Sequence, residues 1–447
     1  MIANPTNDLW LDKMPRDWQR SRIRNVAALS PNYSQTRPAS DEPCTVVPME
    51  LVSNDGAIDV SDQQPLEDIS TGLPLFEKGD VLFAKITPCM ENGKGAFVRQ
   101  LPTRYAFGST EFHVLRAGNK VDGQFLYYAT FNPVYRAYAA ENMVGAAGQK
   151  RVSSRFLKDT RLFLPPLPEQ QRIAAYLDAS CAAIDAAVAA KQRQIETLDG
   201  VRKDIIQKAV TRGLEERPTL KKTGNVWMNE VPFTWELVSL KRVSEIQGGL
   251  TLGKVYEGSL IERPYLRVAN VQDGHLNLQD VTAIEVPEEV AHRVDLRPGD
   301  VLMTEGGDLD KLGRGTIWSG EIPDCLHQNH IFAIRCFKHK LLSAFLAYLT
   351  ASRYGRDYFE ATGKRTTNLA STNSTKVGLF PIPRPSIEEQ RAICKYLANK
   401  LNDVTQIVNG IETQITTLTA YRKSLIHECV TGQRRITGNG TSNLMLT

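Results

Sequence analysis

LPPLPEQQRIAAYLDASCAAIDAAVAAKQRQIETLDGVRKDIIQKAVT, residues 164–211, returns as RPSIEEQRAICKYLANKLNDVTQIVNGIETQITTLTAYRKSLIHECVT at 384–431, 220 positions later and without a gap. Pro165, Glu169, Gln170, Ile173, Tyr176 and Leu177 match Pro385, Glu389, Gln390, Ile393, Tyr396 and Leu397. Further on, Gln194, Ile195, Leu198, Arg202, Lys203 and Thr211 match Gln414, Ile415, Leu418, Arg422, Lys423 and Thr431. An ungapped copy of this length means one structural unit used twice.

The spacing says what that unit is. Leu177, Ile184, Leu198 and Ile205 fall on a seven-residue series that Lys191 completes, and Cys181, Val188, Ile195, Arg202 and Ala209 form the second seam. The copy places Leu397, Val404, Ile411, Leu418 and Leu425 on one seam, with Leu401, Val408, Ile415, Arg422 and Cys429 on the other. Alternating steps of three and four are the a/d pattern of a coiled coil. The prolines upstream end the preceding segment, and the Glu-Gln pair suits a helix N-terminus. About 40 residues at 1.5 Å each make a rod of roughly 60 Å. Two such rods in one chain pack most simply on each other. The matched Arg202 and Arg422 sit at otherwise apolar seam positions. They either fix register, meet a partner or snorkel to solvent.

Outside the helices the repeat continues with small indels. Met14-Pro15 precedes Trp18 as Val231-Pro232 precedes Trp235, and Gly79-Asp80-Val81-Leu82 matches Gly299-Asp300-Val301-Leu302. Asp55-Gly56 and Asp273-Gly274 are turn signals between apolar runs. Phe112–Arg116 and Ile331–Arg335 read as matching strands. Helices rich in aromatics follow at 125–138 and 342–358. The order is therefore globular, helix, globular, helix. The predicted segments are 1–163, a first long helix at 164–215, a second globular part at 216–383, a second long helix at 384–433 and a flexible polar tail at 434–447. The expected class is α+β or α/β: two globular domains separated by two long antiparallel coiled-coil helices, with an internal pseudo-two-fold repeat. Similar frameworks carrying different loops suggest two different recognition tasks.

Composition narrows the function. With 54 Lys and Arg against 50 Asp and Glu, the formal charge is +4 and the pI near 8.5, which permits nucleic-acid binding without demanding it. The seven cysteines contain no CxxC, so a reducing cytoplasm is expected rather than a disulfide framework. The N-terminus lacks a secretory pattern, and no uninterrupted apolar run approaches the length of a membrane span. Asn132-Pro133-Val134-Tyr135 resembles an amino-methyltransferase motif, but no glycine-rich cofactor loop precedes it, and a helix interruption is the simpler reading. Cys325, His327, His330, Cys336 and His339 match no zinc-finger spacing, and a strand would point them to opposite faces. The glycines at 306–307 and 313–315 lack the Gly-Lys-Ser/Thr ending of a phosphate loop. No catalytic centre and no metal site is expected.

Basic and amide side chains in glycine-flanked loops are the better lead, because Arg and Lys neutralise phosphates and Arg reads guanine bidentately. The candidates are Asn92, Lys94, Arg99, Gln149, Lys150 and Arg151 in the first half. In the second they are Arg267, Lys311, Arg314, Lys364 and Arg365, with Gln328 and Asn329 as further amides that could read adenine.

The chain resembles the DNA-specificity subunits of type I restriction–modification systems. The resemblance rests on LPPLPEQQRIAAYLD at 164–178, its partner RPSIEEQRAICKYLA at 384–398, the repeated Gly-Asp-Val-Leu and the globular–helix order; Ile387-Glu388 departs mildly from the Leu-Pro of the first copy. It implies two target-recognition domains, each reading one half of a split double-stranded DNA target, and a helical spacer that sets the gap. It implies two docked methyltransferase subunits, with restriction and motor subunits joining them. S-adenosylmethionine and ATP would then belong to those partners, and this chain would need no cofactor. The alternatives are a coiled-coil scaffold that binds only protein and a stand-alone DNA-modifying enzyme.

Overall fold

The computed structural model describes residues 15–436 except Ala147, Leu252, Val255, 308–311, Arg314 and 366–369, together with 442–444. The repeated stretches form two long helices, Leu167–Arg212 and Ile387–Val430. The chain divides into two compact units, Met1–Lys191 with Glu412–Thr447, and Gln192–Ile411. The expected borders at 163/164 and 383/384 mark where the helices begin, but the units divide inside the helices. Each unit is a globular part, the first half of the helix that follows it, and the second half of the other helix.

The apolar seams give the reason. In the first unit, Leu177, Cys181 and Ile184 are buried in one cluster with Leu425, Ile426, Cys429 and Val430. Lys191 hydrogen-bonds Gln414, and Arg422 pairs with Asp185 at 3.0 Å. Rising numbers on one helix meet falling numbers on the other, so the pair is antiparallel. In the second unit Ile393 and Leu397 share a cluster with Ile206, Ala209 and Val210. Val404 is buried. Of the remaining predicted seam residues, Ile195, Leu198, Ile205, Ile415 and Leu418 are half-buried. Full burial of a Leu or Ile is worth roughly 1.5–3 kcal/mol, so the helix ends carry most of the packing.

The same polar joint seats each helix on its globular part. Gln170 accepts from the Asp122 N–H at 2.8 Å and donates to the carbonyls of Pro165 and Lys120 at 2.8 and 3.2 Å. Gln390 accepts from the Leu342 N–H at 2.9 Å and donates to the Pro385 and Lys340 carbonyls, each at 3.1 Å. Both glutamines are buried. The far ends are matched too. Gly213 and Gly432 close the helices with φ of +81° and +74°, the left-handed cap that glycine adopts freely. A Cβ there would lie 3.2 Å from Trp235 and from Trp18 respectively. Each domain's early tryptophan therefore abuts the end of the helix from the other half of the sequence.

The central strands explain the globular cores. All five residues of Asp80–Ala84 are buried. Val81 and Phe83 face the cluster that holds the long helices, whereas Leu82 and Ala84 face a second cluster. This period-two split requires cover on both faces. The sheet runs Ala27–Leu29, Phe112–Ala117, Asp80–Ala84, Gly95–Phe97, all antiparallel. Its counterpart runs Ser244–Gly248, Ile331–Cys336, Val301–Thr304, Gly315–Ile317. A smaller sheet in each unit contributes one parallel pairing, Thr45 with Ala106 and Tyr265 with Leu326. Predominantly antiparallel sheets with separate helices make the class α+β. The matched Asp and Arg of the sequence meet in each unit. Arg116 grips Asp80 at 2.8 and 2.7 Å, and Arg335 grips Asp300 at 3.0 and 2.8 Å.

One expectation is corrected. The tail from 434 is not simply flexible: Arg434–Ile436 pairs antiparallel with Ser442–Leu444. Arg435 bonds Asp17 at 2.9 Å and Glu169 at 3.1 Å, and Arg434 bonds Glu428 at 2.9 Å. The sequence shows a polar run, but its first two residues, Arg434 and Arg435, find fixed acids. The helix Leu167–Arg212 is also long and apolar enough by composition to cross a membrane. Alanine supplies much of that character, and Asp178 and Asp185 within it are ion-paired to Arg99 and Arg422. Each Asp would cost about 2.5–3.5 kcal/mol at the centre of a bilayer.

Replacing Gln170 or Gln390 with Leu leaves one N–H and two carbonyls without partners. We expect each change to cost about 2–4 kcal/mol in urea unfolding. The effects should add in the double variant, since the sites share no partner. A loss under about 0.5 kcal/mol would show the joint to be dispensable.

Candidate nucleic-acid interface

The central strand ends in the same backbone crossing in both units. The Lys85 N–H donates to the Glu111 carbonyl at 2.9 Å, and the Lys85 carbonyl accepts from Val152 at 2.9 Å. In the second unit the Glu305 N–H donates to the His330 carbonyl at 2.8 Å, and the Glu305 carbonyl accepts from Thr372 at 2.8 Å. Three loops converge at each crossing. These are the segment after the central strand, the turn before the next long strand, and the glycine-basic loop after the aromatic helices.

The side chains at the two crossings differ. In the first unit Arg151 holds Glu111 at 2.8 and 3.0 Å, which keeps that carboxyl below its ordinary range. In the second, His330 Nδ1 meets Glu305 at 2.7 Å. The third position is Arg151 in one unit and Ser371 in the other, where Ala370–Ser371 pairs with both Gly306–Gly307 and Lys364–Arg365.

The residues expected to meet DNA do not all gather at these crossings. Asn92, Gln149 and Lys150 lie exposed or half-exposed on the converging loops of the first unit. Lys94 joins them but donates from Nζ to the Met49 carbonyl at 3.0 Å, so it also braces a neighbouring turn. Arg99 is not brought together with them. It sits at the other end of its strand, stacked 5.4 Å over Phe97 and paired with Asp178 of the long helix at 2.6 Å. Arg267 is spent on Asp280 at 2.7 Å. Its neighbour Val268 donates to Gln328 at 3.3 Å, which places that turn beside the second crossing. Lys364 is exposed there, with Arg365 next to it in the strand. Lys311 and Arg314 lie outside the described residues.

Sequence reasoning missed Lys85, Glu111 and Glu305, although their position just after or before the matched strands was available as a signal. It also missed Arg136. This guanidinium is buried between Phe83 and Phe131, 4.4 and 4.1 Å from their ring centres. It donates to the carbonyls of Met90 at 2.8 Å, Thr130 at 3.2 Å and Lys94 at 3.3 Å. Burial lowers its pKa to about 10, and stacking on two rings offsets part of the desolvation. Arg136 thereby pins the loop that presents Asn92. A buried arginine inside an aromatic helix has no distinctive sequence pattern.

The motif look-alikes have structural roles. Asn132 caps the helix Pro133–Glu141 by accepting from the Val134 N–H at 3.0 Å. His327 is buried and bonds the Ile331 carbonyl at 3.0 Å through Nδ1. Among the described residues no group of His, Cys, Asp and Glu could hold a metal ion.

Arg136→Met should cost about 3 kcal/mol, from weaker stacking and three lost hydrogen bonds, although the Met90 and Lys94 carbonyls keep the Gly93 and Ala84 N–H groups, and should speed amide exchange over 90–94. Unchanged exchange would remove Arg136 as the loop's brace. A pH effect belongs to His327, whose pKa burial lowers to about 4. The unfolded chain takes a proton there near pH 6.5, so stability falls as pH drops from about 6.5 to 4, by up to about 3 kcal/mol. His327→Gln should flatten that part of the pH profile, and a profile as steep as before would assign the loss to other groups.

Comparison with solved structures agrees with the fold. The family model described as the type I restriction modification DNA specificity domain matches residues 15–197. The type I restriction enzyme EcoAI specificity subunit of Escherichia coli is 22% identical over 485 residues, covering 91% of this chain and 80% of that protein. The MjaVIII specificity subunit of Methanocaldococcus jannaschii is 25% identical over 336 residues, covering 72% of this chain and 73% of that one. Among solved structures, a chain from a type I restriction–modification complex aligns with TM-score 0.72 at 19% identity, covering 94% of this chain and 98% of its own. The HsdS subunit from Thermoanaerobacter tengcongensis aligns with TM-score 0.56 at 18% identity over the same shares. With its duplicated helix element and two matched domains, the chain is similar over most of its length to the DNA-specificity subunits of type I restriction–modification systems, and residues 15–197 match that family's domain.

Proposed function

We propose that the chain reads a bipartite double-stranded DNA target, one half-site per unit, through the loops that converge at the ends of the two central strands. One observation carries this reading. The same backbone crossing occurs in both units while its side chains differ, Lys85, Glu111 and Arg151 in one and Glu305, His330 and Ser371 in the other. A duplicated scaffold with unlike side chains at one place suits two sequence preferences. Lys150 and Lys364 serve phosphate, a contact that positions the protein on the duplex. Asn92 and Gln149 offer amides that pair with adenine edges.

The chain performs no chemistry of its own in this reading. Two methyltransferase subunits dock on the helical region and supply S-adenosylmethionine, while restriction and motor subunits join that core and use ATP. Base extrusion takes place in the methyltransferase. The length of the helices sets the gap between half-sites. Seven free cysteines fit work in the reducing cytoplasm.

Methylome sequencing of a strain carrying the system tests the reading. Adding one heptad to each long helix lengthens it by about 10 Å, and the gap should change with both half-sites kept. Lys364→Ala with Arg365→Ala should weaken binding of the assembled complex. It should also reduce the salt slope by about 0.9 for each phosphate that is no longer neutralised. An unchanged gap would overturn the spacer role, and an unchanged slope would remove these two residues from the interface.

A further inference from the structure

Each unit has a groove between its globular part and its helix pair, built at matched positions. In the first unit it occupies about 320 Å³ beside Arg99, Tyr128, Asp178, Asp185 and Arg422. In the second it occupies about 570 Å³ beside Arg202, Ile317, Tyr348, Arg356, Asn402 and Thr405. The 220-residue offset aligns them: Arg422 with Arg202, Asp185 with Thr405, and Tyr128 with Tyr348.

The first groove satisfies itself. Arg422 Nε bonds Asp185 at 3.0 Å, and its Nη2 reaches the Asp55 carbonyl at 3.4 Å. Asp178 accepts from Arg99 and from the Tyr128 hydroxyl, each at 2.6 Å, and from Gln124.

The second groove lacks those partners. Thr405 stands for Asp185, Ala398 for Asp178, Ser319 for Arg99 and Ala344 for Gln124, which also explains its larger volume. The arginine is kept. Arg202 is exposed, whereas Arg422 is 20% exposed and paired. The acids that remain are engaged, Asp199 with Lys203 at 2.6 Å and Asp273 with Arg356 at 2.7 Å. Arg356 Nη1 is buried without a hydrogen-bond acceptor among the described residues. The first lining carries three acids against two bases, and the second carries two acids against three bases. An orphaned buried N–H costs about 1–3 kcal/mol, which an incoming acceptor recovers.

We propose that the groove of the second unit receives a carboxylate side chain from a docked methyltransferase subunit, with Arg202 as its anchor, in the place that Asp185 fills in the first unit. This rests on the docking described under Proposed function. It adds that the two grooves are not equivalent: the first unit brings its own carboxylate, and the second takes one from its partner. The choice of a protein carboxylate follows from the chain itself, since the matched arginine already takes an aspartate from a helix.

The test uses the full chain and the methyltransferase subunit of the same system, with stoichiometry and affinity read by native mass spectrometry and sedimentation. Thr405→Asp supplies the missing carboxylate internally, and Arg202→Ala removes the anchor. Both positions are exposed, so the fold should persist, and Thr405→Asn controls for size. The unaltered chain and T405N should bind two copies. T405D and R202A should bind the second copy at least about tenfold more weakly, the loss of one charge-assisted bond. Two copies bound with unchanged affinity by both variants would overturn the inference while leaving the docking itself intact. So would variants that assemble normally yet lose DNA affinity, because the groove would then serve phosphate. If the unaltered chain binds no methyltransferase subunit, the docking reading fails and the inference goes with it.

Discussion

Neither globular part is complete without a helix half drawn from the other end of the sequence. The first unit buries Leu425, Cys429 and Val430 beside Leu177 and Cys181, and the second buries Ile206, Ala209 and Val210 beside Ile393 and Leu397. Exchange of helix halves makes both helices indispensable to both cores. It also explains why the repeat tolerates no gap over the helices yet allows indels in the loops. A one-residue slip would turn the seam about 100° around the helix axis and out of both clusters.

The polar groups in these cores act as locators. Gln170 and Gln390 are the same device used twice. A buried amide bonds both to the turn that ends its own domain and to the turn that opens the aromatic helix. The Asp80–Arg116 and Asp300–Arg335 pairs fix the start of each central strand in the same way. With the strand held at one end and the helix seated on it, the loops at the strand's other end leave from one backbone position in both units. Variation there does not disturb the core, which suits a scaffold whose task is to carry different side chains at one place.

The units depart from symmetry where side chains meet the helix pair. Trp235 donates from Nε1 to Glu389 at 2.9 Å, whereas Glu169, the matched acid, is taken by Arg435 from the strand after the second helix. Arg422 is paired with an aspartate, and among the described residues Arg202 has no such acid. Such departures distinguish two otherwise interchangeable surfaces, and they arise from single substitutions, such as Asp185 against Thr405, at positions that the seam does not constrain.

The periodicity of 164–211 and its copy was enough to establish the helices, their heptad seams and the two-part organisation, because a 3.5-residue apolar repeat needs only residue types to be seen. The Gly-Asp-Val-Leu pairs marked the central strands, and loop composition marked Asn92, Gln149, Lys150 and Lys364 as surface residues. Tertiary structure alone decided where the compact units divide, since packing of each helix half depends on which surface it meets and not on its own pattern. It alone decided that Arg99, Arg151 and Arg267 are already paired, because their acids lie 79, 40 and 13 residues away. It also showed that Arg136, unremarkable in sequence, is the brace beneath a loop. Charge can be counted from a sequence, but its availability depends on which opposite charge the fold brings within about 3 Å.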